Sequence, residues 1–365
     1  MIESQPQRAL FIPETCEFVG RKLRRVRWQT PSNNLHVPDK VAGGSWDDEN
    51  NEVSIWRVVH AGKTDADRSS TMILGKEDAV KLVKSASFPL FAATEDLKFL
   101  SNDHLLVSTS TGDVHYLAYS ETRDEIQEKC VLQRLHEGAC TAVSLLSDCS
   151  IVSVGTEGHL QVTDLNSAKM LLRIGEEAFQ CNDGFSSMQV ISAGLVITGN
   201  YMGQIQVWDL RVRTNKAQTV DTARHGSVLS MCYNPSQPHV LACGTACGAV
   251  DFYDLRQDLC VTSSLSLHKS FVWEVKFHPT YPANLFTASN DQTLLHVSTS
   301  FLQDKKLSSQ VSNPWLLPDL ELKIRTVPLL PFNVMSVNSV DVVFNSLVCC
   351  TDNESLWILK HPLIC

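Results

Sequence analysis

The chain has 365 residues, 43% of them hydrophobic and 19% charged, with a formal net charge of −9. That length exceeds one ordinary core of roughly 100 to 200 residues, so it requires two domains or one large repetitive architecture, and apolar content of this size excludes a disordered chain. The acidic balance is spread along the chain, which offers no general attraction to nucleic acid or anionic membrane, so partners are expected to be proteins.

Met1 to Phe18 carries Glu3, Arg8, Glu14 and Glu17 without a continuous apolar run, so it does not fit a secretory signal, and residues 1–16 read as a tail. Glu17 to Gly20 resembles a strand with no partner in its own segment. The most basic stretch follows, Arg21-Lys-Leu-Arg-Arg-Val-Arg27. Its guanidiniums suit phosphate or an acidic protein partner, but Leu23, Val26 and Trp28 are interleaved, as in a strand with a solvated face.

Seven units come next. In each, a short apolar strand ends in small residues: Val41 to Ser45, Leu105 to Ser110, Ile151 to Gly155, Leu195 to Gly199, Val240 to Gly244, Leu285 to Ser289 and Leu347 to Thr351. Three units then share one frame: Gly158 to Leu165, Gly203 to Leu210 and Gly248 to Leu255 each read glycine, alternating apolar positions, a Thr, Trp or Tyr slot, then Asp-Leu. Such alternation describes a strand entered through a glycine turn and buried on one face. The slot residues Thr163, Trp208, Tyr253 and Val297 recur at roughly 45-residue intervals, and Trp56, Leu117 and Leu359 occupy the slot in looser copies. Inner strands precede them, clearest as Val228 to Tyr233 and Val272 to Phe277. The two long intervals, Trp56 to Leu117 and Val297 to Leu359, predict loop insertions near 60–87 and 299–335.

This period is that of WD repeats, and it predicts an all-β, seven-bladed WD-repeat β-propeller over residues 17–365. One sheet of three or four strands cannot bury both faces, whereas blades arranged radially cover one another. The last unit ends soon after its third strand, so the N-terminal strand is expected to complete the seventh blade.

More narrowly, the chain resembles the forty-three-kilodalton WD-repeat nucleoporin family of the Y-shaped nuclear pore scaffold complex. The resemblance rests on Arg27-Trp28 before Gly44-Ser-Trp-Asp47 and Ile55-Trp56, on Trp208-Asp-Leu-Arg211, on Trp273-Glu-Val275 with Phe277-His-Pro279 through Leu285-Phe-Thr287, and on Ser336-Val-Asn338 through Leu347-Val-Cys349 to Thr351-Asp352. It implies a non-enzymatic scaffold subunit at the nuclear pore and nuclear envelope, with the other Y-complex subunits as partners. Roles in pore assembly, nucleocytoplasmic transport and mitotic kinetochores are also implied. The second, third and sixth units are among those whose slot lacks Trp, which departs from the family pattern.

Catalytic and metal chemistry find no frame. The chain has no G-x-S-x-G elbow, H-E-x-x-H helix, phosphate loop or C-x-x-C pair, so neither an enzyme activity nor a cofactor or small-molecule substrate is expected. The apolar runs Leu329 to Val334 and Val340 to Phe344 are too short to span a membrane. Without an export signal the twelve cysteines should stay reduced, and Cys149, Cys232, Cys243, Cys349 and Cys350 read as small core hydrophobes. His225 and His268 read as structural members of incomplete blade hydrogen-bond sets, the latter with Ser289 and Asp291.

Two features are candidate partner sites. Trp208-Asp-Leu-Arg211 and Tyr253-Asp-Leu-Arg256 end successive units in D-x-R. They resemble the double box of WD-repeat receptors that dock on the damaged-DNA-binding adaptor of cullin-four ubiquitin ligases, which gives an alternative function as a substrate receptor through Arg211 and Arg256. Turn chemistry alone also produces such boxes. Asn313-Pro-Trp-Leu-Leu-Pro318 places Trp315 and Leu316 in an apolar patch that either anchors a partner or folds back on the ring.

Overall fold

The computed structural model describes residues 12–29, 38–60, 80–175, 184–192, 194–211, 218–221, 226–257, 260–300, 313–331 and 334–360. They form seven four-stranded antiparallel sheets. Blade one contains β2 (Leu23–Trp28), β3 (Lys40–Ser45), β4 (Asn51–His60) and β5 (Val80–Leu90). Blade two contains β6 (Thr94–Phe99), β7 (His104–Thr109), β8 (Val114–Ser120) and β9 (Glu125–Leu132). Blade three runs from β10 (Cys140–Ser147) through β11 (Ser150–Gly155) and β12 (Leu160–Asp164) to β13 (Met170–Ile174). Blade four runs from β14 (Phe185–Ser192) through β15 (Leu195–Asn200) and β16 (Gln204–Asp209) to β17 (Gln218–Asp221). Blade five has β18 (Val228–Asn234), β19 (Gln237–Thr245), β20 (Ala249–Asp254) and β21 (Val261–Ser266). Blade six has β22 (Val272–Phe277), β23 (Asn284–Ser289), β24 (Leu294–Ser298) and β25 (Arg325–Pro328). Blade seven has β26 (Val337–Val343), β27 (Ser346–Thr351) and β28 (Ser355–Lys360), and β1 (Ile12–Phe18) lies on its outer edge.

The slot position has the same register in every blade. Trp56 pairs with Val41, Leu117 with Leu105, Thr163 with Ile151, Trp208 with Val196, Tyr253 with Leu241, Val297 with Leu285, and Leu359 with Leu347. All seven slot residues are buried, whatever their chemistry. The slot is therefore defined by its place in the blade, and Thr163, Val297, Leu117 or Leu359 fills it as completely as Trp or Tyr does.

The core is divided among the seven blade interfaces. One cluster joins Val240 and Phe252 of blade five to Leu285 and Val297 of blade six. Others join blades six and seven, one and two, seven and one, three and four, two and three, and four and five. The small residues ending the second strands allow that approach: a Cβ on Gly199 or Gly244 would lie 2.7 Å from Val228 or Val272 at the start of the next blade. No blade buries both faces without its neighbours, so the ring is the stable unit.

The closing strand pairs with β28 from Ile12 opposite Lys360 to Phe18 opposite Ser355. It begins ahead of the expected Glu17. The two expected insertions also contain regular structure. Val80 to Leu90 is the outer strand of blade one, and Arg325 to Pro328 is that of blade six, while 61–79 and 301–312 lie outside the described residues. The ten described cysteines are free. Cys243, Cys349 and Cys350 are buried as expected, Cys232 is partly buried, and Cys149 is exposed in the β10–β11 turn, which corrects its reading as a core residue.

Candidate functional site

Strand direction sorts the loops onto two faces. Each inner strand begins on one face, called upper here, and there the turn after the second strand bonds to the residues before the first. The bond recurs in all seven blades: Trp46 N–H to Lys22, Ser110 to Ala93, Thr156 to Ala139, Tyr201 to Gly184, Ala246 to Ser227, Asn290 to Phe271 and Asp352 to Ser336. On the lower face a residue at or just past the end of the third strand bonds back to the first turn or the start of the second strand, as in Val58 to Asp39, Tyr119 to Asp103, Leu165 to Cys149, Leu210 to Gly194, Leu255 to His239 and Thr299 to Ala283.

Both D-x-R boxes lie on the lower face, and they have the same geometry. Asp209 accepts from Arg211 Nε at 2.8 Å and from its terminal nitrogen at 2.7 Å. Asp254 accepts from Arg256 in the same way at 2.9 and 2.8 Å. In each box the Asp also caps its Arg backbone N–H at 3.1 Å. The side-chain and backbone bonds from Arg211 hold the Asp209 carboxyl at about 2. Arg211 remains 76% exposed and Arg256 53% exposed, so each fork is fixed by its own Asp while its outer edge faces solvent.

Trp315 and Leu316 do not share that surface. Trp315 is 1% exposed, stacked on Phe252 at 5.2 Å and edge-on to Phe277 at 5.5 Å. Its indole N–H donates to the Pro282 carbonyl at 2.9 Å, and its own carbonyl accepts from Ser263. Asn313 starts this short 3-10 turn, accepting from Trp315 N–H and donating to Gln237 at 2.7 Å. Leu316 is buried in the same cluster. Of the two readings of this patch, the structure has the one that folds back on the ring; Trp315 and Leu316 join blades five and six and are not anchors offered to a partner.

The basic stretch is likewise neutralised from within. Arg21 pairs with Asp48 at 2.6 Å, Lys22 with Asp47 at 2.7 Å and Arg24 with Glu95 at 2.6 Å. Arg27 is buried against Glu274 at 2.6 Å. The acidic partner for these cations is the chain itself, which replaces the expectation of a solvated strand face.

The histidine sets are structural. His268 meets Thr287 through Nε2 at 2.7 Å, and Asp291 and Thr293 through Nδ1 at 3.1 and 2.9 Å. The hydroxyl partner is thus Thr287 and not the expected Ser289. Burial alone would raise the Asp291 carboxyl, but His268 and Thr293 outweigh it and hold the group below its ordinary range. His136 of blade three has the same arrangement with Ser153 at 2.9 Å and Glu157. Sequence reading missed this set because Glu stands where Asp is sought; the spacing from His to acid, close to that in blade six, was the available signal. In blade four Trp208 donates to Thr198 at 2.9 Å. His225 lies outside the described residues.

Exposed large apolar residues occur around the ring, with Val59, Met170, Leu171 and Tyr281 on the lower side and six others on the upper face. Phe18, Phe91, Tyr201, Met202, Phe271 and Met335 all occupy upper-face loops or strand ends. Phe271 packs edge-on against Trp273 at 5.3 Å, and Trp46 lies beneath the Arg24 guanidinium at 5.7 Å. Among the described residues no group of three or more His, Cys, Asp and Glu is placed to hold a metal ion, and no helix is long and apolar enough to cross a membrane.

No family model matches the chain. It is 27% identical to the human nucleoporin Nup43, and to the mouse protein of the same name, over 95% of this chain and 98% of each relative. It is 26% identical to the Dictyostelium discoideum nuclear pore complex protein nup43 over 58% of this chain and 51% of that protein. Among solved structures, the WD40 β-propeller domain of Doa1 superposes with a TM-score of 0.67 at 13% identity, covering 97% of both chains. That likeness concerns the fold alone.

Proposed function

We propose that this chain, related to the Nup43 nucleoporins from end to end, is a non-enzymatic scaffold subunit of the nuclear pore complex, in the Y-shaped outer-ring subcomplex. The carrying observation is identity spread over 95% of the chain and 98% of the human relative, beyond what shared propeller architecture requires. The physical chemistry is compatible with it. The histidine–carboxylate sets cross-brace strands within blades, and exposed large apolar residues such as Phe91, Met202 and Phe271 are available on the ring surface for contact. The chain then supports pore assembly and nucleocytoplasmic transport by holding other subunits of the outer ring, and accompanies that subcomplex to kinetochores in mitosis. A fluorescent fusion expressed from its own locus should mark the nuclear envelope as a punctate rim in interphase. A diffuse signal without a rim would overturn the reading.

One observation favours a second reading. The forks at Arg211 and Arg256 are alike and are presented on one face by adjacent blades, as a receptor of a cullin-four ubiquitin ligase would require. Replacing both with Ala should then abolish capture of the ligase adaptor. Unchanged capture, or none by the unaltered chain, rejects it.

A further inference from the structure

The seven inner strands enclose an axial cavity of about 310 Å³, at the small end of the roughly 300–1,000 Å³ range of ligand sites. Its charge is opposite to that of the chain. Arg25 and Arg27 reach it from blade one, Lys98 from blade two and Lys276 from blade six; Asp96, Glu274 and Asp341 are the carboxylates of the lining. Four cations thus face three anions in a protein whose net charge is −9.

The pairing within this set is uneven. Arg27 is committed to Glu274, and Lys276 to Asp341 at 3.0 Å. Asp96 takes its hydrogen bonds from the backbone N–H groups of Leu97 at 2.9 Å and Val143 at 3.3 Å. It lies 4.0 Å from Arg25 Nε and 3.7 Å from the Lys98 ammonium, too far to accept from either. Arg25 Nε and Trp28 Nε1 are buried without a hydrogen-bond acceptor, and both side chains line the cavity. Burial, opposed by Asp96 but reinforced by Arg27, Lys276 and Arg25, pushes the Lys98 ammonium below its ordinary range. Arg25 Nη1 reaches the Trp273 and Asn338 carbonyls only at 3.5 Å, and Arg25 and Lys98 share the one Asp96 carboxylate as long ion pairs; weakly held cations and orphaned donors around one cavity leave room for an acceptor-rich anion.

We propose that the axial cavity binds a small oxyanion of the phosphate class, held by Lys98 and Arg25 with Lys276 at its side. A tetrahedral phosphate presents acceptors in several directions and so suits donors converging from three blades, whereas a carboxylate presents two oxygens in one plane. The source is free phosphate or pyrophosphate, or a compact phosphorylated metabolite. The site is independent of the scaffold reading, since it lies on the ring axis and uses none of the exposed upper-face residues.

The test is calorimetric titration of the full chain, in chloride buffer at constant ionic strength, with inorganic phosphate, pyrophosphate and glycerol 3-phosphate. Saturable binding is expected for at least one of them. Lys98→Met should weaken it at least about tenfold, the loss of a charge-assisted hydrogen bond, while the exposed upper-face control Lys269→Met leaves it unchanged. Tightest binding of glycerol 3-phosphate points to the metabolite source, and tightest binding of either inorganic anion to the free one. A lysine-acylation measurement on the unaltered chain covers the case in which the variant misfolds: the tightest-binding anion should protect Lys98 and Lys276 from modification but not Lys269. No saturable heat with any anion, equal binding by Lys98→Met, or protection without discrimination among the lysines overturns the proposal.

Discussion

Glu274 is where blades six, seven and one are fastened together. Its carboxylate accepts from Arg27 at 2.6 and 3.3 Å, from the Ser339 hydroxyl at 2.5 Å and from the Val340 N–H at 2.9 Å. Burial alone would raise this acid, but the Arg27, Arg25 and Lys276 charges outweigh it and hold the group at about 2, against an ordinary 4.5. Glu274→Gln keeps the shape and removes the charge. At about 1.4 kcal/mol per pKa unit the shift is worth about 3 kcal/mol. Breaking a buried pair on one side costs about 3–5 kcal/mol, because the remaining cation is left unpaired. At roughly 2 °C per kcal/mol, the thermal midpoint should fall by about 6–10 °C. The sign of the pH dependence follows from the lowered folded pKa. This stabilisation is present above the ordinary carboxylate range and is lost as pH falls from about 4.5 towards about 2, so the variant should show a shallower acid limb. Scanning calorimetry across pH measures both effects. Arg27→Met with Glu274→Met, which removes one charge of each sign, should recover most of the loss. A single-variant cost under about 1 kcal/mol, or a double variant no better than the single, refutes the reasoning.

Trp315→Ala should cost about 3–5 kcal/mol in denaturant unfolding, since it empties the space between Phe252 and Phe277; a near-neutral result would place the side chain outside the core. Deleting residues 1–18 removes the outer strand of blade seven, and limited proteolysis should then cut within Val337 to Lys360 far faster than in the full chain. Replacing Arg211 and Arg256 with Ala should leave the thermal midpoint in place, because both forks lie on the surface and, among the described residues, form their ion pairs within their own boxes. His268→Ala should lower the midpoint with no change in partner capture, as loss of a buried hydrogen-bonded set predicts.

The repeat frame was legible because each third strand meets its neighbour at the same register. The slot can be followed from Trp56 to Leu359 even where the aromatic ring is gone. Outer strands were less legible. Val80 to Leu90 alternates buried with exposed positions and carries Lys81 and Lys84 outward, so it reads like a polar insertion until β4 pairs with it. Trp315 was ambiguous for a different reason: an apolar cluster in a long interval looks the same whether its pocket belongs to a partner or to the chain, and only Phe252 and Phe277 decide. The basic stretch misled in the same way, since Glu95 and Glu274 lie far from it in sequence. The axial cavity was invisible. Its residues come one or two at a time from inner strands scattered along the chain, and no motif ties Arg25, Lys98 and Lys276 together.

The central claim is a subunit held in the outer ring of the nuclear pore, and native affinity purification with quantitative mass spectrometry tests it most directly. The tagged chain, taken from its own cells under mild salt, should bring down the other Y-complex subunits in near-equal molar amounts. A preparation that contains none of them, or that is dominated by a cullin-four ligase adaptor, would contradict it.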